Sequence, residues 1–241
     1  MPYINIMNKV TKSSIFEITG IVVNDIALYQ QAFCHKSAIK ELGLELSNER
    51  IEFIGDAVLN LIVGTFLFER FGYENEGFLT RLRTKLVSGA NLCKWAEDLK
   101  LYELLVMNDK ALSNGWNTNK RILEDTFESL IGAIYLDNGA SLSAPTKFLD
   151  ILLNKLDFED VRKDTNYKDI LMRYAQSNGL DSPVYKCSDF NASAGEKNER
   201  RFCVQVLMNG KLLGEGFDRN KKSSEQRASQ NVLKCLQLIK V

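Results

Sequence analysis

The sequence predicts an α+β protein in which an all-helical unit is followed by a small unit of order α-β-β-β-α. Apolar residues recur at spacings of three and four through residues 25–156, and prolines are nearly absent before Pro145. After a charged segment at residues 157–166, the spacing changes to the alternation typical of strands. With 241 residues, of which 45% are hydrophobic, the chain can form one sizeable core or two modest ones.

Successive helices are expected in the first unit. Ser47 and Asn48 precede Glu49 and Glu52, and polar residues followed by acidic ones are typical of a helix start. This long helix should run to about Phe71 and end at Gly72. Further helices are predicted over residues 80–100, 120–136 and 144–155, the second of them ended by Asp137-Asn138-Gly139.

The segment 157–166 is charged and poor in apolar residues, so we predict a linker between domains at 15–156 and 167–241. The second domain should begin with a helix over 167–178, closed by Gly179. Strands then follow at 184–187, 202–206 and 211–217, with Asn209-Gly210 as a hairpin turn, and a last helix at 224–239.

Charge differs between the two parts of a chain whose formal net charge is zero. Residues 164–241 contain 13 Lys and Arg against 9 Asp and Glu, while residues 1–163 contain 18 against 22. Such a division suggests two modules with different electrostatic roles.

A cytoplasmic protein without a membrane partner is expected. The longest apolar stretch, Ala57–Phe68, has 12 residues, whereas a bilayer needs about 20. No secretory signal is evident at the start of the chain. The five cysteines are odd in number and form no C-x-x-C pair, which favours buried free thiols over zinc or redox chemistry.

Acidic residues in two predicted helices suggest a metal site. Glu49, Glu52 and Asp56 are spaced i, i+3 and i+7, so they point into a wedge of roughly 60° on one helix face. Asp125 and Glu128 repeat the i, i+3 spacing in a second helix. If the helices face each other, a set of oxygen ligands converges that selects Mg²⁺ or Mn²⁺. Carboxylate-held Mg²⁺ serves phosphodiester hydrolysis.

The alternative is a solvated acidic helix face, which is the usual reason for acidic pairs on helices. Two features favour the metal site. Gly55 and Gly132 lie inside strong helices, where Gly costs about 1 kcal/mol relative to Ala and so indicates close helix approach. Neither Glu49 nor Glu52 has a Lys or Arg four residues later.

These residues also carry a family resemblance. Asn48–Leu59 (NERIEFIGDAVL) resembles the signature helix of ribonuclease III, and Asp125–Ala133 (DTFESLIGA) resembles the second metal-binding helix of that family. Cys34–Ser37 resembles its His-x-Ser element, and Glu76–Arg83 (EGFLTRLR) its Glu-Gly-x-Leu-x-x-x-Arg stretch.

The resemblance implies an endoribonuclease that cuts double-stranded RNA. Its Mg²⁺-binding catalytic acids would be Glu52, Asp56, Asp125 and Glu128, with Mn²⁺ as a substitute ion. Glu49 matches a further acid near the site, and Glu76 matches one that reaches toward the partner subunit's site. Products with 5′-phosphates and short 3′ overhangs are implied, from ribosomal RNA precursors and structured messenger RNAs. The residues do not specify which RNAs, tRNA precursors included, are cut.

The family also implies a homodimer, in which two centres lie across one RNA helix. The apolar faces of the helices that contain Phe53, Leu61 and Phe66 could supply the dimer contact, although core packing explains these residues equally well. His35, the single histidine, is interpreted as a structural residue that is hydrogen-bonded beside Ser37.

The C-terminal unit resembles a double-stranded-RNA-binding domain. This likeness rests on its element order, its positive balance and the run Gly214–Gln226 (GEGFDRNKKSSEQ). The resemblance assigns Lys221 and Lys222 to phosphates across the major groove and Gln176 to the minor groove. The loop Gly195–Asn198 departs from the Gly-Pro-Asp-His pattern of the family; Asn198 could still bond a 2′-hydroxyl. Arg173 stands where the family usually has Glu.

Two other functions are considered. The first is a non-cutting double-stranded-RNA-binding or ribosome-associated relative, which the loss of a catalytic carboxylate would have favoured; all of them are present. The second is a metal-dependent phosphohydrolase that acts on small nucleotides. Removal of residues 157–241 should then leave turnover unchanged.

Overall fold

The computed structural model describes residues 9–43, 46–162, 166–190 and 201–239. The chain divides into two compact units, Met1–Val161 and Arg162–Val241. An all-helical unit is thus followed by one with a three-stranded antiparallel sheet, which confirms the predicted α+β fold class. The exact domain boundaries stay a prediction.

Helices of the first unit follow one another with short connections. They are α1 Lys12–Thr19, α2 Ile26–Ala32, α3 Ile39–Leu42, α4 Glu49–Arg70, α5 Glu76–Leu86, α6 Gly89–Asp98, α7 Asp109–Ser113, α8 Lys120–Asp137, α9 Ser143–Leu153 and α10 Phe158–Arg162. Short 3₁₀ turns occupy Lys36–Ala38, Leu101–Glu103 and Trp116–Thr118.

Helices α4 and α8 form the centre of the first unit. One face of α4 is buried through Ile51, Val58, Leu59 and Ile62, and the middle of α8 is buried nearly all round. A helix that is apolar on most sides requires neighbours on most sides, and α2, α6 and α9 also pack against α8.

Helix α4 is long and apolar enough to span a membrane by length and composition alone. It is the one such helix among the described ranges. Since its buried face belongs to the hydrophobic core of the first unit, its apolar character is explained by packing within the protein.

Several local predictions were wrong. The predicted helix over 80–100 is two helices, α5 and α6, separated at Val87 and Ser88. Asn48 makes no side-chain cap bond because its own backbone is already helical; the Ser47 hydroxyl accepts the amide of Glu49 instead, at 3.4 Å. Helix α1 was not predicted.

The predicted linker contains helix α10. Phe158 is buried, with its ring 5.8 Å from that of Phe66 and 5.7 Å from that of Phe71. The Arg70 guanidinium lies 4.5 Å from the Phe158 ring centroid, within cation–π range. A single aromatic residue therefore anchors the first half of this charged segment, which its average composition could not reveal.

The second unit has the predicted α-β-β-β-α order. Its elements are α11 Tyr167–Ser177, β1 Val184–Phe190, β2 Arg201–Met208, β3 Lys211–Asp218 and α12 Lys221–Cys235. Strand β2 lies between β1 and β3, with Cys187 opposite Val204 and Cys203 opposite Phe217.

The turn and the glycines of this unit have clear roles. Asn209 and Gly210 both adopt positive φ, 49° and 72°, as a type I′ hairpin turn requires. A Cβ at Gly216 would meet the backbone of α12 at Ala228 and Ser224. Glycine on β3 therefore allows α12 to lie directly on the sheet.

Cysteines of the chain are free thiols. Cys34, Cys93 and Cys203 are buried, as predicted, whereas Cys187 and Cys235 are exposed. The expectation of buried thiols is therefore confirmed at three positions and wrong at two.

Candidate metal centre and RNA-binding residues

Two glycines set the distance between α4 and α8. A Cβ at Gly55 would collide with the carbonyl oxygen of Glu128, and one at Gly132 with the carbonyl oxygen of Ile51. The helices thus meet backbone to backbone, as the positions of the two glycines predicted. Any larger residue here would force the helices apart.

This contact brings three carboxylates together. One carboxylate oxygen each of Glu52, Asp125 and Glu128 lies within 4.8 Å of the others. All three side chains are half-buried. Within the described parts of the chain, this is the one group of acidic, His or Cys side chains with metal-binding spacing.

Burial and mutual repulsion disfavour the ionised form of these three carboxylates. Desolvation raises the pKa of Glu128 to about 8, and the charges of Asp56 and other neighbouring acids add to the increase. Desolvation, with the charge of Asp125, raises the pKa of Glu52 to about 7. The pKa of Asp125 is also raised by burial.

A cation reverses this preference because it stabilises the ionised carboxylates. The donor atoms are all carboxylate oxygens, which suit Mg²⁺ or Mn²⁺ and not the softer metals. The three residues therefore fit a hard divalent cation.

Asp56 and Glu49 lie beside the group without being part of it. The exposed Asp56 carboxylate accepts a 2.7 Å hydrogen bond from the Asn60 amide one turn later, and its charge is the strongest acidic influence on Glu128. Glu49 pairs with Lys36 at 3.2 Å and accepts a 3.1 Å bond from the Ser47 hydroxyl. These contacts lower the pKa of Glu49.

Glu76 lies apart from the carboxylate group. It is exposed in the first turn of α5 and accepts a 2.7 Å hydrogen bond from Thr80. It lines a separate cavity with Leu61, Phe68 and Arg83. Among the residues that the structure describes, Glu76 is not part of the carboxylate group.

Sequence reasoning missed the residues on the open side of the carboxylates. A cavity of about 430 Å³ contains Glu52 and Asp125 at its wall together with Lys36, Trp116 and Arg121. Lys36 and Arg121 are cations whose charges oppose the increase in the pKa of Asp125. Glu49 and Glu52 have no Lys or Arg four residues later on α4, and the cations near them come from other segments of the chain.

His35 has the predicted structural role. Its Nδ1 atom accepts the amide of Ser37 at 3.1 Å and lies 2.9 Å from the Ser37 hydroxyl. Its ring meets that of Trp116 edge to face, with centroids 6.2 Å apart. Burial and the charge of Lys36 lower the pKa of His35, which favours its neutral form.

Three of the predicted RNA-binding residues of the second unit, Gln176, Lys221 and Lys222, are exposed. Lys221 and Lys222 are the first two residues of α12, where the helix dipole adds attraction for phosphate. Gln176 lies in the last turn of α11. Asn198 and the loop 195–198 lie outside the described residues. Arg173 pairs with Asp169 on its own helix at 2.9 Å.

Comparison with known proteins agrees with both units. The family described as Ribonuclease-III-like matches residues 25–156, and the double-stranded RNA binding motif matches residues 167–236. Ribonuclease 3 of Enterococcus faecalis is 36% identical over 220 residues, covering 90% of this chain and 94% of the relative. Ribonuclease 3 of Chlorobaculum tepidum is 34% identical over 233 residues, covering 94% and 84%.

A viral protein and a solved structure are also similar. The putative protein A464R of Paramecium bursaria Chlorella virus 1 is 37% identical over 223 residues, covering 92% of this chain and 78% of that protein. The nuclease domain of ribonuclease III from Campylobacter jejuni superposes with a TM-score of 0.55 and 34% identity, covering 60% of this chain and 97% of that domain.

Proposed function

The chain belongs to the ribonuclease III family and is an endoribonuclease for double-stranded RNA, and we propose that its reaction depends on Mg²⁺ held between α4 and α8. The observation that carries this proposal is the half-buried group of Glu52, Asp125 and Glu128. Asp56 is proposed as a fourth catalytic acid, because its charge acts directly on Glu128. Mn²⁺ is expected to replace Mg²⁺.

Each residue has a defined part in this proposal. Glu52, Asp125 and Glu128 would hold the divalent cation through their carboxylate oxygens in the ionised form. When bound, the cation would supply an activated water and positive charge for the leaving oxygen of the RNA. Glu49, oriented by Lys36 and Ser47, is proposed to position the neighbouring acids.

The second unit is proposed to bind the duplex. Lys221 and Lys222 contact phosphates across the major groove, and Gln176 contacts the minor groove. Asn198 is proposed to contact a 2′-hydroxyl. Support comes from the match to the double-stranded RNA binding motif and from the exposed lysines at the start of α12.

A homodimer is proposed, with one centre for each RNA strand. Phe53 and Leu61 on α4 are 80% and 54% exposed. Phe66, by contrast, packs on Phe158 and belongs to the core. Two large exposed apolar side chains on one helix are well suited to an isologous contact. Glu76 is proposed to complete the site of the partner copy, since it lines a different cavity from the grouped carboxylates of its own chain.

The dimer is tested with Phe53→Asp in size-exclusion chromatography with light scattering. A dimeric wild type and a monomeric, folded variant are expected. A wild type that stays monomeric at micromolar concentration contradicts the dimer, as does a variant that remains fully dimeric.

The proposed products carry 5′-phosphates and short 3′ overhangs, as the family implies. The proposed substrates are ribosomal RNA precursors and structured messenger RNAs, and the proposed compartment is the cytoplasm, where free thiols persist.

The central experiment is cleavage of a long, perfectly paired RNA in Mg²⁺, Mn²⁺ or EDTA. Binding is measured in parallel by gel shift, and wild type is compared with Glu128→Gln. Cleavage that requires the metal and is lost in a variant that still binds supports the proposal. Binding without cleavage by wild type contradicts it and identifies a non-cutting relative. Cleavage in EDTA contradicts the metal requirement.

A further inference from the structure

The cavity beside the metal group has an aromatic wall that the proposed chemistry does not use. Its lining includes the acidic residues Glu49, Glu52 and Asp125 together with Trp116, Lys36 and Arg121. Its volume, about 430 Å³, lies in the range of about 300–1,000 Å³ that is typical of small-ligand sites. All these residues belong to the first unit.

Trp116 is held in place but left open to the cavity. It begins a 3₁₀ turn after Gly115, whose φ of 69° turns the chain sharply. Trp116 is 45% exposed, and its ring meets that of His35 edge to face. The other tryptophan, Trp95, is buried in the core. Packing therefore explains Trp95, whereas nearly half of the surface of Trp116 is open to a contact from outside the protein.

The two cations of the cavity differ in availability. Lys36 is bonded to Glu49 at 3.2 Å, although both side chains are mostly exposed. Arg121 forms no ion pair within 4 Å among the described residues. Its main-chain amide is fixed by the Asn119 side chain at 3.0 Å, which holds the first turn of α8 in place. The charge of Arg121 acts on Asp125 and Glu52 without a direct ion pair. A guanidinium in this state, lining the same cavity as a partly exposed indole ring, suits a phosphate next to a ribose.

We propose that this cavity binds one nucleotide of the RNA next to the scissile phosphate, with Trp116 against its ribose and Arg121 and Lys36 on its phosphate. The bases of a paired helix are stacked, so its riboses and phosphates are the parts that side chains reach without regard to sequence. Trp116 is thus a substrate-binding residue that fixes the RNA relative to the carboxylates. The inference rests on the proposed endoribonuclease function.

Fluorescence tests the site directly, because Trp95 is buried and Trp116 is exposed. Adenosine 5′-monophosphate, with excitation at the red edge of the indole band, is the probe. Saturable quenching is expected in wild type, with weaker binding in Arg121→Gln and weaker binding of adenosine. Quenching that does not saturate, or that adenosine matches, overturns the phosphate assignment.

Cleavage kinetics provide the second test. Trp116→Ala is expected to raise KM by on the order of tenfold, the order of the loss of one nucleotide–aromatic contact, with kcat nearly unchanged. Trp116→Phe should restore most of the loss, and Phe16→Ala serves as a matched exposed-aromatic control. An unchanged KM in Trp116→Ala, or an equal rise in the control, overturns the inference. A wild type that does not cut RNA instead contradicts the proposed function, while the quenching result stands on its own.

Discussion

Replacing Glu128 with Gln is expected to stabilise the metal-free protein while removing its activity. Burial raises the pKa of Glu128 from 4.5 to about 8 in the folded chain, and neighbouring acids add to the increase. A carboxyl group whose pKa rises on folding destabilises the folded state once it ionises. This cost is absent below pH 4.5, grows as the pH rises, and is complete above about pH 8. Gln has a similar shape and carries no charge, so it removes the cost.

The magnitude follows from the pKa shift and the exposure of the side chain. The whole shift corresponds to about 5 kcal/mol, but Glu128 is only half-buried and solvent screens much of the repulsion. We expect a gain of about 1–2 kcal/mol in the free energy of unfolding. For a domain of this size, that is a rise in Tm of about 2–8 °C.

Thermal unfolding in EDTA at pH 5 and pH 8.5 measures the effect, with Glu69→Gln, an exposed position on α4, as control. Glu128→Gln should exceed wild type in Tm at pH 8.5, with the difference nearly gone at pH 5. Adding Mg²⁺ should then raise the Tm of wild type more than that of the variant, and cleavage by the variant should fall about 10²-fold or more. A Tm that falls equally at both pH values would refute the reasoning, because Glu128 would then be a structural residue.

Three further predictions concern separate contacts. Gly55→Ala should lower the free energy of unfolding by about 3 kcal/mol, since its Cβ collides with the α8 backbone. The same variant should lose the increase in Tm that Mg²⁺ gives to wild type. Calorimetry with and without Mg²⁺ measures both effects. In the double variant Lys221→Ala, Lys222→Ala, the slope of log binding constant against log salt concentration for duplex RNA should become shallower by about 1–2. Lys234→Ala at the far end of α12 should leave this slope unchanged. Filter binding over a salt series measures both. Asp137→Ala should cost about 3 kcal/mol in urea unfolding, because its buried carboxylate accepts bonds from two main-chain amides and a tyrosine hydroxyl; a loss under 1 kcal/mol contradicts this.

The helix contact at the centre of the site could be predicted from sequence because each glycine stands out within its own helix. Gly55 and Gly132 are unfavourable in helix interiors, so their presence indicates a neighbour that leaves no room for a Cβ, and the structure confirms that neighbour. The strands and the Asn209-Gly210 turn were predictable for the same reason, since alternation and turn chemistry are properties of adjacent residues.

Arg121 lies four residues before Asp125 on α8, a spacing that the sequence shows, but the place of Lys36 could not be predicted because it depends on distant packing. Lys36 reaches Glu49 only because the segment before it is held on both sides: the amide of Asn48 donates to the Cys34 carbonyl at 3.0 Å, and that of His35 to the Val106 carbonyl at 3.0 Å. No spacing rule in the sequence joins these segments. The same holds for Trp116, whose place in the cavity depends on where α8 begins.

Close packing and catalytic chemistry are linked in this fold through one helix pair. The backbone contact at Gly55 and Gly132 buries carboxylates that repel one another, so the contact that builds the core also raises the pKa values of Glu52 and Glu128. A hard cation relieves that repulsion. The packing of α4 on α8 therefore contributes to the free energy of metal binding. Substitutions that loosen this packing should weaken metal binding even where every carboxylate remains.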